Sequence, residues 1–212
     1  MKYIFLLPAL FFLQPIFSQD STGSSEVSIH FAQTYAKFNY STTDGLTDEN
    51  LKSDIKSSYG INYSKTFSNG IFIRPELGYS NLGATSILND QKLDWSLHYV
   101  NLSFGGGYQL SLGKLNPHIG TSIYASYLYK ASQSVGVYYY DLLEGNTLKK
   151  SDFGITSFVG VKYAINDNIG LLLESRYLIG LNQLEINEEG DTEELYNRAL
   201  SFHFGISVSL NK

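Results

Sequence analysis

Cysteine is absent from the 212 residues. Neither a disulfide framework nor a lipid-modified N-terminal cysteine is therefore available. Long apolar runs are missing too. Beyond Asp20 no stretch approaches the roughly 18 consecutive apolar residues of a membrane helix. Positive charge is scarce. Removing Lys2 with the leader described below leaves 14 basic residues against 20 acidic ones, a net charge of −6. That balance argues against nucleic acid as a partner. A mean hydropathy of −0.12 does not exclude a membrane protein. A membrane-spanning strand needs apolar residues only at alternate positions, so its average stays near neutral.

What is present begins with MKYIFLLPALFFLQPIFSQD. One cation (Lys2), an apolar run from Tyr3 to Leu13 and a small residue at Ser18 read as a secretory signal peptide over 1–18. A retained anchor would need a longer run than this one, which is broken by Pro8 and Pro15. Residues 19–212 then form one domain. Its aromatic content of 15%, its 19 glycines and its 17 tyrosines are high for a globular domain. Tyrosine suits a girdle where a ring meets lipid headgroups with its hydroxyl in water.

The stretch Asp152 to Leu181 carries the clearest pattern. Phe153, Ile155, Val159, Val161, Tyr163 and Ile165 share one face, against Gly154, Thr156, Phe158, Gly160, Lys162 and Ala164. After Asn166-Asp167-Asn168 the alternation resumes. Ile169, Leu171, Leu173, Tyr177, Ile179 and Leu181 oppose Gly170, Leu172, Glu174, Arg176, Leu178 and Gly180. Period two is the strand signature, and the Asn/Asp run is a turn. One face is broadly aliphatic; the other mixes glycine, small residues and ions. A wall that is apolar outside and glycine-plus-charge inside is what a membrane barrel needs.

Similar segments recur at about 26–40, 57–67, 71–80, 93–112, 117–130 and 197–211. The first is expected to point Val27, Ile29 and Phe31 outward, with a bulge where the pattern weakens beyond Thr34. Pro75 is unusual in a central strand and implies a further bulge. In 117–130, Tyr127 and Tyr129 are expected outside and His118 and Lys130 inside. Gly105-Gly106-Gly107 lets the wall bend for closure. The connections alternate in length: short at 68–70, 113–116 and 166–168, long at 41–56, 81–91, 131–151 and 182–196. Short periplasmic turns and long outer loops are the outer-membrane pattern. The fold class is thus all-β, an eight-stranded antiparallel up-and-down transmembrane β-barrel in the cell outer membrane, monomeric, with both termini in the periplasm.

The segment YVNLSFGGGYQLSLGKLNPHIGTSIYASYL resembles the central hairpin of the PorT-like outer-membrane β-barrel family of Bacteroides-group Gram-negative bacteria. FGITSFVGVKY and LLLESRYLIGLNQL resemble the next hairpin, with Glu174, Arg176, Tyr177, Gly180 and Leu181 on its E-x-R-Y-x-x-G-L pattern. The resemblance covers most of the mature chain and implies an eight-stranded outer-membrane barrel. Its name-giving member belongs to a secretion and gliding apparatus, which implies a secretion-machinery partner as one option. The chain departs from the usual aromatic barrel ending by closing on Leu210-Asn211-Lys212.

Arg74, Glu76, Lys162, Glu174 and Arg176 fall on inward faces. They read as a paired polar lumen network, since buried charges must find partners; a gated ion path is the competing reading. His30, His118 and His203, with Ser201 or Ser207, raise a hydrolase, but a triad needs base, nucleophile and acid within reach. Glu185, Glu188, Glu189, Asp191, Glu193 and Glu194 crowd one loop without the D-x-D-x-D-G spacing of a calcium loop. Tyr138 to Tyr140 and Trp95 offer an aromatic outer surface. No catalytic, cofactor or metal site is expected. The reading is a non-enzymatic structural or interaction barrel presenting extracellular loops, with outer-membrane lipid and an extracellular or secretion-machinery protein as partners. A narrow channel or accessory barrel comes second and a lipid-modifying enzyme third.

Overall fold

The computed structural model describes residues 23–41, 51–88, 91–145, 147–185 and 194–210. The leader expected over 1–18 and the acidic run 186–193 lie outside the described residues. Ten strands are present: β1 (Ser24–Ser41), β2 (Asp54–Thr66), β3 (Ile71–Leu82), β4 (Thr85–Leu88), β5 (Gln91–Gln109), β6 (Leu115–Val135), β7 (Tyr138–Asp141), β8 (Ser151–Ala164), β9 (Ile169–Gly180) and β10 (Glu194–Ser209). Every pairing is antiparallel.

The ring passes through eight of them, in the order β5-β3-β2-β1-β10-β9-β8-β6, and the β5–β6 pairing closes it. Follow one row of partners from Ser24. It runs through Thr66, Phe72, Gly107, Gly120, Phe158, Arg176 and Ser201 and re-enters β1 at Thr34, ten residues further on. A stagger of ten over eight strands corresponds to a strand tilt of about 40–45°, the usual range for a closed barrel.

The other two strands were not expected. Thr85–Leu88 and Tyr138–Asp141 fall in the expected loops 81–91 and 131–151. Each pairs with the far end of a ring strand, β4 with β5 and β7 with β6. Tyr138–Asp141 is exposed along its whole length, without the alternation of the ring strands, so a period-two search passes over it.

Within the ring the facing is as the alternation requires. Leu171, Leu173 and Phe204 are 47%, 48% and 57% exposed, while Glu174 and Arg176 are 1% and 8% exposed. Two local expectations are corrected. The first strand carries no bulge: its register with β10 runs unbroken from Glu26 to Ser41. Pro75 carries none either, for Asn62↔Glu76 and Lys65↔Ile73 keep one register and only the ladder between them is interrupted. A missing N–H removes a rung without inserting a residue. The bulge lies elsewhere. Tyr99 pairs with Leu128 but His98 pairs with Lys130, so Tyr129 is the extra residue. It turns Lys130 to the exposed side, contrary to expectation, and sends Leu128 and Ala131 inward, each 1% exposed.

Beyond this bulge the polarity reverses. Lys37 and Asn39 face out while Phe38, Leu97, Leu128, Leu184 and Leu195 pack inside. Trp95 and Leu142 pack against this cluster. With polar Lys37 and Asn39 on the outer face, the apolar side chains at this end are removed from water by turning inward. The result is an apolar core at the long-loop end, above a polar lumen.

Candidate functional site

The lumen side chains form bridges at three levels. The row of partners climbs from the short-turn end as it passes from β1 through β2 and onward round the ring, which fixes their order. Lowest, Lys162 on β8 pairs with Glu26 on β1. Above it sits the main cluster. Glu174 on β9 accepts hydrogen bonds from Arg74 Nη1 at 2.7 Å, Arg74 Nη2 at 3.2 Å and Arg176 Nε at 2.5 Å. His118 Nε2 lies 2.7 Å from the same carboxylate. Arg176 then grips Glu76 with both terminal nitrogens, at 2.6 and 2.9 Å. His30 Nε2 lies 3.6 Å from Glu76.

β3 and β9 stand four strands apart whichever way the ring is followed. The Arg74–Glu174 and Glu76–Arg176 bonds therefore span the diameter. Two guanidinium groups and two carboxylates balance in charge, and bidentate geometry makes such pairs strong. In a low-dielectric interior a fully paired network rigidifies, whereas a half-paired one is costly.

Glycine makes the room. A Cβ on Gly120 would lie 2.5 Å from the Phe158 ring. That ring carries the Arg74 guanidinium 3.9 Å above it, a cation–π contact. A Cβ on Gly160 would lie 2.9 Å from the His118 imidazole. Both glycines are the register partners of these residues, Gly120 of Phe158 and Gly160 of His118.

The third level joins β5, β6, β8 and β10. Asn197 Nδ2 donates to Asp152 Oδ2 at 2.8 Å and to Tyr99 Oη at 3.1 Å; Tyr124 Oη donates to Asp152 Oδ2 at 3.3 Å. β10 and β5 are again four strands apart. Outside these three levels, at the upper end of β2, Lys56 Nζ lies 2.5 Å from Asp54 Oδ2 and 3.0 Å from Asp94 Oδ1; Asp94 alternates with the inward Trp95 and Leu97. Partial burial works against ionisation of Asp54, but the hydrogen bond from Lys56 prevails and holds its carboxyl below the usual range.

The free space is broken up accordingly. A vestibule of about 210 Å³ opens at the turn end and meets Lys162 and Glu26. A separate cavity of about 80 Å³, lined by Glu76, Arg176, His30, His203 and Tyr124, lies between the ionic cluster and the third level.

Four of the five expected lumen residues thus meet in one cluster, and Lys162 belongs to a second pair. His30 and His118, expected as inward hydrolase candidates, are partners of this network instead, and Glu26 is a partner that the alternation did not single out. The serine–histidine idea has a partial counterpart: Ser201 Oγ lies 2.8 Å from His203 Nε2. Among the described residues its third member is missing, because His203 Nδ1 is buried with no partner among them. His118 is committed to Glu174, and His30 packs edge-on to His203 at 4.9 Å between ring centres. Among the described residues no group of three or more His, Asp or Glu is placed to hold a metal ion. Of the acidic residues in that loop, Glu185 and Glu194 are described.

The fold has solved counterparts. Neisserial surface protein A is 18% identical with a TM-score of 0.52, covering 88% of this chain and 97% of that one. OprG from Pseudomonas aeruginosa is 13% identical with a TM-score of 0.58, covering 90% and 97%. At these identities the likeness concerns fold alone. No curated protein matches the chain. A family model described as the outer membrane protein beta-barrel domain matches residues 4–207. The chain belongs to that family, and it is an outer-membrane β-barrel protein.

Proposed function

We propose that the chain is a monomeric, eight-stranded transmembrane barrel that conducts nothing and catalyses nothing, and that acts by presenting its long connections outside the cell. One observation carries this reading: polar bridges cross the lumen at three levels, two of them along the diameter, with an apolar core above. An eight-stranded wall encloses just enough room for side chains. A path for ions would need every bridge to open against a paired, buried network. A hydrolase would need an acid on His203 and a route for substrate into a cavity of about 80 Å³.

The outer end offers a contact surface instead. Val137, Tyr138, Tyr139 and Tyr140 at the β6–β7 hairpin are 94%, 66%, 61% and 51% exposed. Exposed tyrosines give large, rigid, amphipathic contact area. The partner is an extracellular or secretion-machinery protein. The second option follows from the PorT-like resemblance, whose E-x-R motif falls on Glu174 and Arg176, the centre of the ionic cluster. The N-terminal leader is removed near Ser18 or Gln19.

A photo-crosslinking residue at Tyr139 on intact cells is expected to give discrete protein adducts, with no steady conductance from the purified barrel in planar bilayers. Stable single-channel currents from the wild-type protein, or an altered lipid A profile on its removal, would contradict the reading.

A further inference from the structure

The apolar core at the long-loop end leaves a cavity of about 390 Å³ between its side chains. Phe38, Leu97, Leu148 and Leu195 line it, each no more than 9% exposed. Trp95 lines it beside Phe38, edge-on at 6.3 Å between ring centres. On β5 the next inward residue below Leu97 is Tyr99, and on β10 the next below Leu195 is Asn197. Tyr99 and Asn197 are bonded to one another at 3.1 Å across the lumen. The third level of bridges therefore lies directly beneath the cavity, which makes it a dead end and not a passage.

One amide is set into the apolar wall. Gln133 is the register partner of Trp95 and lines the same cavity. It is half-buried, and among the described residues its side chain has no hydrogen-bond partner. An amide can both donate and accept, so Gln133 can meet a hydroxyl, a carbonyl or another amide. No Lys, Arg or His stands among the described lining residues, and the presence of Glu185 there disfavours an anion. Moving any charged group against walls of this kind is costly. Size points the same way. An apolar cavity of about 150 Å³ holds benzene, so this one has room for two rings, or for one ring with a short chain.

We propose that the cavity binds a small uncharged molecule with an aromatic body and one hydrogen-bonding group, the ring lying against Phe38 and Trp95 and the polar group meeting the Gln133 amide. Aromatic contacts add to plain apolar burial, and an apolar pocket with one placed polar group in the mouth of a barrel is a frequent form of ligand site. That the mouth opens outside the cell rests on the orientation proposed above; the binding does not. Segments 42–50 and 186–193, which adjoin the lining residues Leu51 and Glu185 in the chain, are the competing occupants, and the test separates them from a ligand.

Trp95 is the only tryptophan in the chain, so its fluorescence reports on this cavity. The probes are para-bromobenzyl alcohol and para-bromotoluene, whose bromine quenches indole and which differ by one hydroxyl. On the purified barrel refolded in non-ionic detergent, both are expected to quench Trp95 saturably. In Gln133→Leu the ratio of alcohol affinity to bromotoluene affinity is expected to fall about fivefold, the net worth of one hydrogen bond. Because the ratio is compared between two proteins in the same detergent, partition of the probes into micelles cancels. Leu148→Phe narrows the cavity and is expected to weaken both probes alike. Heat-modifiable gel mobility shows that each variant is folded.

Quenching of wild type that rises linearly without saturation would overturn the proposal, and is the result that occupancy by 42–50 or 186–193 gives. So would an affinity ratio unchanged in Gln133→Leu, or undiminished binding by folded Leu148→Phe. Failure here with Tyr139 crosslinks intact would remove the cavity site and leave the proposed function standing; the converse would remove only the latter.

Discussion

Replacing Arg176 by methionine removes the residue that ties the two central carboxylates together. In the native barrel it donates to Glu174 at 2.5 Å and to Glu76 at 2.6 and 2.9 Å. Methionine fills much of the volume but donates nothing. Glu174 keeps Arg74 and His118. Among the described residues Glu76 keeps only His30 at 3.6 Å and a long contact from Asn62 at 3.5 Å. Stranding one member of a buried pair costs about 3–5 kcal/mol. Simple addition of three charge-assisted bonds at about 1.5–3 kcal/mol each would give more, but those bonds share one guanidinium and are not independent. The expected loss is therefore about 3–5 kcal/mol. Reversible urea unfolding in lipid vesicles, followed by tryptophan fluorescence and by heat-modifiable gel mobility, measures it. Planar-bilayer recordings on the same variant are expected to stay silent, because Lys162–Glu26, Asp152–Asn197 and the apolar end remain. A loss below about 1 kcal/mol, the scale of an exposed pair, would refute the claim that the cluster is a buried, paired unit. A steady conductance would refute the claim that the lumen is closed at several levels.

Three further outcomes follow. Gly120→Val drives a branched side chain into the Phe158 ring and the Gly106 carbonyl, which a bare Cβ would already meet at 2.5 and 2.4 Å. Overpacking of about 1–3 kcal/mol or failed assembly is expected, and a wild-type unfolding midpoint would contradict it. Leu173→Arg puts a charge on the lipid face, at an expected cost of about 2–4 kcal/mol near the bilayer midplane, whereas an unchanged midpoint would place Leu173 in water. Asp54 has a folded-state pKa below its unfolded one, so its contribution is fully present above the unfolded carboxylate range. It fades as pH falls through the lower, folded value. Melting curves of wild type and Lys56→Met are expected to converge on the acid side of about pH 4; a constant gap at every pH would contradict this.

Much of the wall was legible in the sequence because lipid imposes a strict rule at alternate positions. The β8–β9 hairpin obeys it nearly residue by residue, from Phe153 to Leu181. The inward placement of Arg74, Glu76, Lys162, Glu174 and Arg176 follows from the same alternation. Which ion meets which does not follow. Arg74 and Glu174 are a hundred residues apart, and their meeting depends on a stagger of ten accumulated around the ring. The lumen histidines did carry a signal that only register reveals. His30 is flanked by Gly60 and Gly205, and His118 by Gly160. Each ring sits where its neighbour has no side chain.

Misreadings cluster above the lipid. Lys130 was expected inside because Tyr129 was counted as an ordinary strand residue. β4 and β7 fall in segments that read as loops because the apolar alternation lapses at this end. The apolar core around Leu97, Leu128 and Leu195 is not legible from the same rule, because the facing is inverted a few residues beyond the apolar wall.

The central claim is that aliphatic side chains meet lipid while the ions are sealed within the tube. The native absence of cysteine allows single-site labels without background. Leu173→Cys and Phe204→Cys, each carrying a fluorophore in reconstituted vesicles, are expected to be quenched by a lipid-borne quencher and spared by an aqueous one. A label on Ser207→Cys, inward on β10, is expected to be spared by the lipid-borne quencher. Aqueous quenching at Leu173 and Phe204, with lipid quenching at Ser207, would contradict the account.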